Sequence, residues 1–231
     1  MTMHQPLAIA GTLFLCAQGA LAQAFNIDFG PERSVPSIEF PGASGSELAP
    51  PQPGYWVIPT TQGNVIEFPR VIDITNTRTE VTLRSSRPVQ SQGAFNITGD
   101  ENLVELIADG IILGGASRLG DATESILGPL TLTWTGLENG LYEVYTYTTP
   151  HLDLSALMSV TINGITRVGG GPFPPVFFVE GVSHTRHIIR VEDGTMEMRY
   201  ETVIGTGVIN GLQIVPVDQT QILRPSRPRA R

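Results

Sequence analysis

Two histidines, His184 and His187, form an H-x-x-H pair. On a helix this spacing would put both imidazoles on one face, where they could share a metal; on a strand, which the flanking residues imply, they point to opposite faces. Two histidines without a third ligand make a weak zinc site. The expected role of His187, in register with Ile189 and Val191, is therefore that of a half-buried, hydrogen-bonded side chain. Paired carboxylates able to cleave glycosidic bonds would need to face each other across a cleft. The candidate pairs are Asp100/Glu101, Glu192/Asp193 and Glu197/Glu201. The first reads as helix capping, the second flanks a turn, and the third lies on the polar face of a strand, so all are expected to be solvated surface acids. No G-x-S-x-G occurs, the nearest string being Gly42-Ala43-Ser44-Gly45-Ser46. The chain contains no lysine, which excludes Schiff-base chemistry. Its one cysteine, Cys16, lies in an apolar leader, so the remainder has no thiolate nucleophile and no disulfide. No catalytic residue is expected.

Recognition is the better-supported chemistry, because an exposed ring can stack on the C–H face of a sugar while polar neighbours take its hydroxyls. The candidates are Tyr55 and Trp56 in a Pro/Gly-rich stretch, and Tyr147, His151 and Asp153 at a strand end and the loop after it. Tyr55 and Trp56 could form such a platform or plug one end of the fold. Trp134, in register with Leu130 and Leu132, belongs to the core. Phe173, Phe177 and Phe178 border a Gly/Pro loop.

The elements that position these residues follow a two-residue period. Phe25, Ile27 and Phe29 alternate with Asn26 and Asp28, predicting a half-buried strand over 24–30. Residues 31–64 are rich in Pro, Gly and Ser and read as a long loop-dominated stretch. Strands are expected near 70–75 and 80–84, joined by a turn at 76–79, with a further short one at 94–97. Thr98 and Glu101 have capping-box spacing, with Asp100 as the alternative N-cap. Leu103, Leu106 and Ile107 then mark one face of a helix of about ten residues that Gly110 can end. Alternation resumes over 130–135, 142–147 and 158–162. Asn163-Gly164 and Asp193-Gly194 are hairpin turns, and a last strand runs from Val208 to Val217.

These add up to an all-β fold, an antiparallel β-sandwich (jelly roll) with one short helix, occupying residues 23–217. The chain has 231 residues, 41% of them hydrophobic and 16% charged, with 25 Gly and 18 Pro to make its turns. Its formal charge is −8, and Arg224, Arg227, Arg229 and Arg231 sit in its last eight residues, leaving an acidic body that argues against nucleic acid. Residues 218–231 read as a disordered Arg/Pro-rich tail. Residues 1–22 read as a signal peptide: Leu7 to Ala17 is apolar, too short to span a bilayer, and Ala20 and Ala22 fit cleavage before Gln23. The expected location is secreted, periplasmic or extracellular, with no membrane span.

Three strings go beyond generic β-structure: Asn26-Ile27-Asp28-Phe29-Gly30; Thr135-Gly136-Leu137 through Gly140-Leu141-Tyr142-Glu143-Val144; and Asn210-Gly211-Leu212-Gln213-Ile214. Their order and spacing resemble secreted bacterial modules of the galactose-binding-like and malectin-like jelly-roll group. No cofactor is expected. Many members of that group bind carbohydrate and many have no assigned ligand, so the resemblance implies carbohydrate as the first ligand class to expect. It also implies a structural Ca²⁺ near the first and last strands, for which Asp28 is the one assignable ligand. The expected function is a non-catalytic module binding carbohydrate or another extracellular polymer. The alternatives are a structural or adhesion protein without a small-ligand site and, third, a glycan hydrolase.

Overall fold

The computed structural model describes residues 23–30, 35–46, 49–62, 64–92, 100–113, 128–149, 155–172 and 177–217. The expected leader, the tail, the short strand at 94–97, and His151 and Asp153 lie outside them. The described residues form fifteen strands and one helix in this order: β1 Phe25–Asp28, β2 Trp56–Val57, β3 Thr61–Gln62, β4 Val65–Pro69, β5 Thr82–Pro88, β6 Gln90–Gln92, α1 Glu101–Ile107, β7 Gly110–Ile112, β8 Leu130–Thr135, β9 Gly140–Tyr147, β10 Leu157–Ile162, β11 Ile165–Gly170, β12 His184–Val191, β13 Thr195–Ile204, β14 Val208–Ile209 and β15 Gly211–Pro216. A five-stranded sheet, β12-β9-β15-β1-β2, packs on a seven-stranded one, β11-β10-β13-β8-β5-β4-β3; a small sheet, β14-β7-β6, stands beside them. Every strand pair is antiparallel except β1 with β2. This is the β-sandwich that the alternation implies.

The core is the set of side chains whose two-residue period faces the opposite sheet. In β8, Leu130, Leu132 and Trp134 are fully buried, and they lie opposite Tyr200, Met198 and Met196 of β13. Tyr142 and Val144 of β9, Leu212 and Ile214 of β15, and Phe25 and Ile27 of β1 fill the other side. The Phe25 and Trp134 rings meet at 5.3 Å between centroids. The Asn163-Gly164 turn takes the positive φ pair (44° and 83°) that a two-residue hairpin needs.

Four expectations are corrected. The strand placed near 70–75 is instead β4 at Val65–Pro69, because Arg70 turns the chain at φ 56°. Residues 71–81 then form a turn held by Asp73, whose Oδ1 accepts the N–H of Thr75 and Thr77 at 2.9 and 3.0 Å. The helix has seven residues. Asp100 is its N-cap, accepting the Leu103 N–H at 3.2 Å, and it ends at Ala108, before Gly110. The last strand divides at Asn210 into β14 and β15, which belong to different sheets. The first strand is buried on both faces: Asn26 and Asp28 are as inaccessible as Phe25 and Ile27. The reason is the long loop: residues 40–46 and 49–52 run across the outer face of the five-stranded sheet and cover it.

Gly110 starts β7 at φ 156°, and a methyl group there would lie 2.4 Å from the Ile209 carbonyl oxygen. Gly110→Ala should cost roughly 2–4 kcal/mol through backbone displacement. Chemical denaturation of the variant against wild type measures this.

Candidate functional site

The outer face of the five-stranded sheet carries polar and aromatic side chains. Register places Arg186, Tyr145, Gln213, Asn26 and Trp56 in one row across the sheet, with His184, Tyr147, Gly211 and Asp28 level with one another beside it. Such a face would bind water if it were open. Here residues 40–46 and 49–52 lie on it and exchange hydrogen bonds with it. Tyr147 Oη donates to Gln213 Oε1 at 2.5 Å and accepts the Ala43 N–H at 2.6 Å. Gln213 Nε2 donates to Asn26 Oδ1 at 2.9 Å and to the Pro41 carbonyl at 3.1 Å. Gln52 Nε2 reaches Asn26 Oδ1 at 3.1 Å and the Ile214 carbonyl at 3.2 Å. Farther along, the fully buried Glu143 accepts from Ser46 Oγ at 2.7 Å and from Tyr145 Oη at 2.6 Å, and pairs with Arg186.

Trp56 and Tyr147 are brought together, with ring centroids 6.2 Å apart. Trp56 is only 4% exposed and Tyr147 is fully buried. Trp56 donates Nε1–H to the Phe40 carbonyl at 3.3 Å, and both rings pack with Leu103, Leu106 and Ile107 of α1. Of the two roles weighed for Trp56 it takes that of plug, and neither ring presents a face on which a sugar could stack. Tyr55, at 40%, is exposed.

The two histidines point to opposite faces, as the strand reading requires. His184 joins the outer layer, its Nδ1 3.1 Å from Ser183 Oγ and its ring edge-on to Phe178. His187 points into the sandwich, with Nε2 3.2 Å from the Val160 carbonyl. It is fully buried where half-burial was expected, because β10 and β11 close over it. Burial pushes both imidazoles down to about 4, assisted by the Arg186 charge at His184 and opposed by the Val160 carbonyl at His187.

Asp28 meets a second acid that sequence reasoning missed, Asp109, brought in by the turn between α1 and β7. The Gly30 N–H donates to Asp28 Oδ1 at 2.9 Å. On its other side Gly30 packs so closely on the Asp109 carboxylate that a methyl group would lie 2.1 Å from Oδ2. Asp28 Oδ2 and Asp109 Oδ1 are buried and accept no hydrogen bond. Burial pushes Asp28 well above the usual carboxylate range, Asp109 and Glu105 adding to the shift and the Gly30 N–H opposing it; burial pushes Asp109 up to about 7. Two carboxyl oxygens without donors are hard ligands of the kind Ca²⁺ takes when the acids give up their protons, so these residues fit the structural ion that the resemblance implies. Bound there, the ion would supply charge neutralisation. No group of three or more His, Cys, Asp or Glu with metal-binding geometry occurs among the described residues.

At the opposite end of β9 and β12, an open depression of about 740 Å³ is lined by Leu137, Glu138, Asn139, Asp193 and Gly194. Its two turns are tied together: Leu137 N–H donates to the Gly194 carbonyl at 3.0 Å, and Gly194 N–H to Asn139 Oδ1 at 3.1 Å. The turn residues were legible in sequence as structure; their convergence was not.

No family model matches this chain, and no curated protein does. Among solved structures, a carbohydrate-binding module, TmCBM61 in complex with β-1,4-galactotriose, aligns at 12% identity and TM-score 0.29, covering 58% of this chain and 84% of that one. A peptidoglycan O-acetylesterase aligns at 18% identity and TM-score 0.32, covering 66% of this chain, and a ruminal GH26 endo-β-1,4-mannanase at 17% and 0.28, covering 45%. The aligned part spans 33% of the esterase and 22% of the mannanase.

Two predictions follow from the buried layer. An unfolded histidine takes up its proton near 6.5, whereas folded His187 does so only near 4, so its contribution to stability is full above 6.5 and is lost as pH falls toward 4. Measured against His187→Gln, wild type should lose about 2–3 kcal/mol between these limits; equal pH profiles for the two proteins would refute it. Arg186→Ala strands the Glu143 charge and should cost about 2–3 kcal/mol, most of it recovered in Glu143→Gln/Arg186→Leu. Urea denaturation of the single and double variants tests this.

Proposed function

We propose that this chain is an exported, non-catalytic β-sandwich module that binds a neutral carbohydrate polymer at the end of the sandwich bearing Glu138, Asn139 and Asp193. The observation that carries the reading is the open depression made by two mutually fixed turns. Sugar hydroxyls donate as well as accept, and two carboxylates beside an amide offer them both acceptors and a donor. The turns are held in place before any ligand arrives: Tyr142 Oη donates to the Glu138 carbonyl at 2.8 Å and Thr195 N–H to Asp193 Oδ1 at 3.1 Å. An acidic lining on a chain of net charge −8 disfavours anionic polymers. Register sets Tyr55 level with Val144 in the middle of β9, three strand spacings, about 14 Å, across the sheet from it. A polymer long enough to run from the depression along the strands and across the sheet would reach this exposed ring. Export rests on the apolar leader and its small-residue cleavage pattern. No helix among the described residues is long and apolar enough to cross a membrane.

A second reading, association through a sheet edge, has its own observation. The edge strand β11 exposes Ile165 and Val168, and Val203 and Ile204 at the end of β13 are exposed as well. An open edge with apolar side chains invites pairing with another chain.

Pull-down on insoluble neutral polysaccharides together with a glycan array tests the first reading. Binding should be weakened roughly tenfold by Glu138→Ala and by Tyr55→Ala, a loss of about 1–2 kcal/mol each. Absence of binding across the panel removes the carbohydrate assignment, and release of reducing sugar or acetate from a bound polymer removes the non-catalytic one. Light scattering decides the second reading: a concentration-dependent dimer abolished by Val168→Lys supports edge association.

A further inference from the structure

We propose that residues 219–231, the arginine-bearing end of this chain, fold back onto the Glu138–Asp193 depression and compete there with the polymer. This regulation rests on the reading of that depression as the binding site. The route is set by the last strand. β15 runs antiparallel to β9, so it ends where β9 begins: Pro216 lies opposite Tyr142, and Val217 N–H donates to the Leu141 carbonyl at 2.8 Å. Leu141 is two residues from Asn139, about 7 Å along a strand, and Asn139 lines the depression. The chain beyond Val217 therefore sets out from the rim of the depression itself. Arg224 follows Val217 by seven residues, a reach of at most about 25 Å, and the later arginines reach farther.

Charge supplies the attraction. From Gln219 onward the sequence carries Arg224, Arg227, Arg229 and Arg231 and no acid, and all 22 of the chain's acidic side chains precede it. The depression presents two of them, Glu138 and Asp193, with the exposed Glu192 next to Asp193. None of the ion pairs among the described residues engages these three carboxylates. A guanidinium fork matches a carboxylate with two parallel hydrogen bonds. Both turns are fixed in advance, by Tyr142 Oη on the Glu138 carbonyl and by Asn139 Oδ1 on the Gly194 N–H. Pro225 and Pro228 have no N–H to add to a sheet edge, which leaves recognition to the arginine side chains. Each exposed ion pair is individually weak and is screened by salt. Tethering offsets this, because a segment attached at the rim is present there at an effective concentration on the order of millimolar. The carboxylates that would take sugar hydroxyls are the ones the arginines engage, so tail and polymer exclude one another.

The test compares the full chain with a variant carrying Arg224→Gln, Arg227→Gln, Arg229→Gln and Arg231→Gln. At an ionic strength of about 20 mM the backbone amide NMR signals of Asn139 and Gly194 should differ between the two proteins, and in about 0.5 M NaCl the difference should vanish, because salt screens exposed charges. Cellulose, mannan and galactan serve as polymer probes, and whichever is retained by pull-down should bind the glutamine variant roughly threefold tighter at low salt. Identical Asn139 and Gly194 signals at low salt overturn the proposal. So does a difference that disappears on dilution, which assigns the contact to the tail of a second copy. Equal polymer affinity with the signal difference present overturns the competition. If neither protein binds any of the polymers, the glycan reading and the competition fall together, while the amide signals still decide whether the tail docks.

Discussion

A sheet face lined with amides, hydroxyls and charges cannot be shut away from water unless each group finds a partner. That constraint governs this molecule. The five-stranded sheet turns its apolar side to the core, where transfer from water favours burial. Its other side carries Asn26, Glu143, Tyr145, Tyr147, His184 and Gln213, and this side is closed as well. The covering segment answers with backbone groups of Pro41 and Ala43, the hydroxyl of Ser46 and the amide of Gln52. Its irregular conformation follows from this task. A strand or helix would spend its backbone groups on itself and leave the sheet face without partners.

The sandwich therefore has three layers where two were expected, and the middle one is the five-stranded sheet. The aromatic cluster of Phe40, Trp56, Tyr147 and Phe178 joins the covering segment, the sheet and the stretch before β12. Helix α1 closes the same end through Leu103, Leu106 and Ile107. One end is thus packed and polar-locked, and it holds the Asp28–Asp109 pair. The other end is formed by tight turns and remains open to solvent. The division of labour between the ends follows from connection length: short turns leave a rim uncovered, and long segments fold back.

Much of this architecture is written in the chain. The alternation of Leu130, Leu132 and Trp134 with threonines, the Asn163-Gly164 turn and the capping of α1 by Asp100 are local signals, and the structure uses each of them. The opposite directions of His184 and His187 follow from a strand's period alone. The candidate sites were less legible because they depend on contacts between distant residues. Whether Trp56 stacks on a ligand or fills the interior depends on where residues 40–46 go, and no pattern in those residues states their destination. Asp109 is one acid after a helix; only the return of Asn210 gives it a place beside Asp28. Glu143 sits in an alternating strand where a surface carboxylate is the ordinary expectation, and its burial comes from the covering segment.

The first strand pairs with the last, and Asn26 shares its amide contact with Gln213 across 187 positions of sequence. A chain emerging from its amino end must therefore hold β1 and the segment after it in waiting until β15 arrives. During that interval Phe25, Ile27 and Trp56 have no sheet to join. Closure of so long a loop is slow, and the unpaired segments are open to capture by other chains in the meantime. Safe passage through synthesis thus places a demand on chaperoning that the finished sandwich no longer reveals.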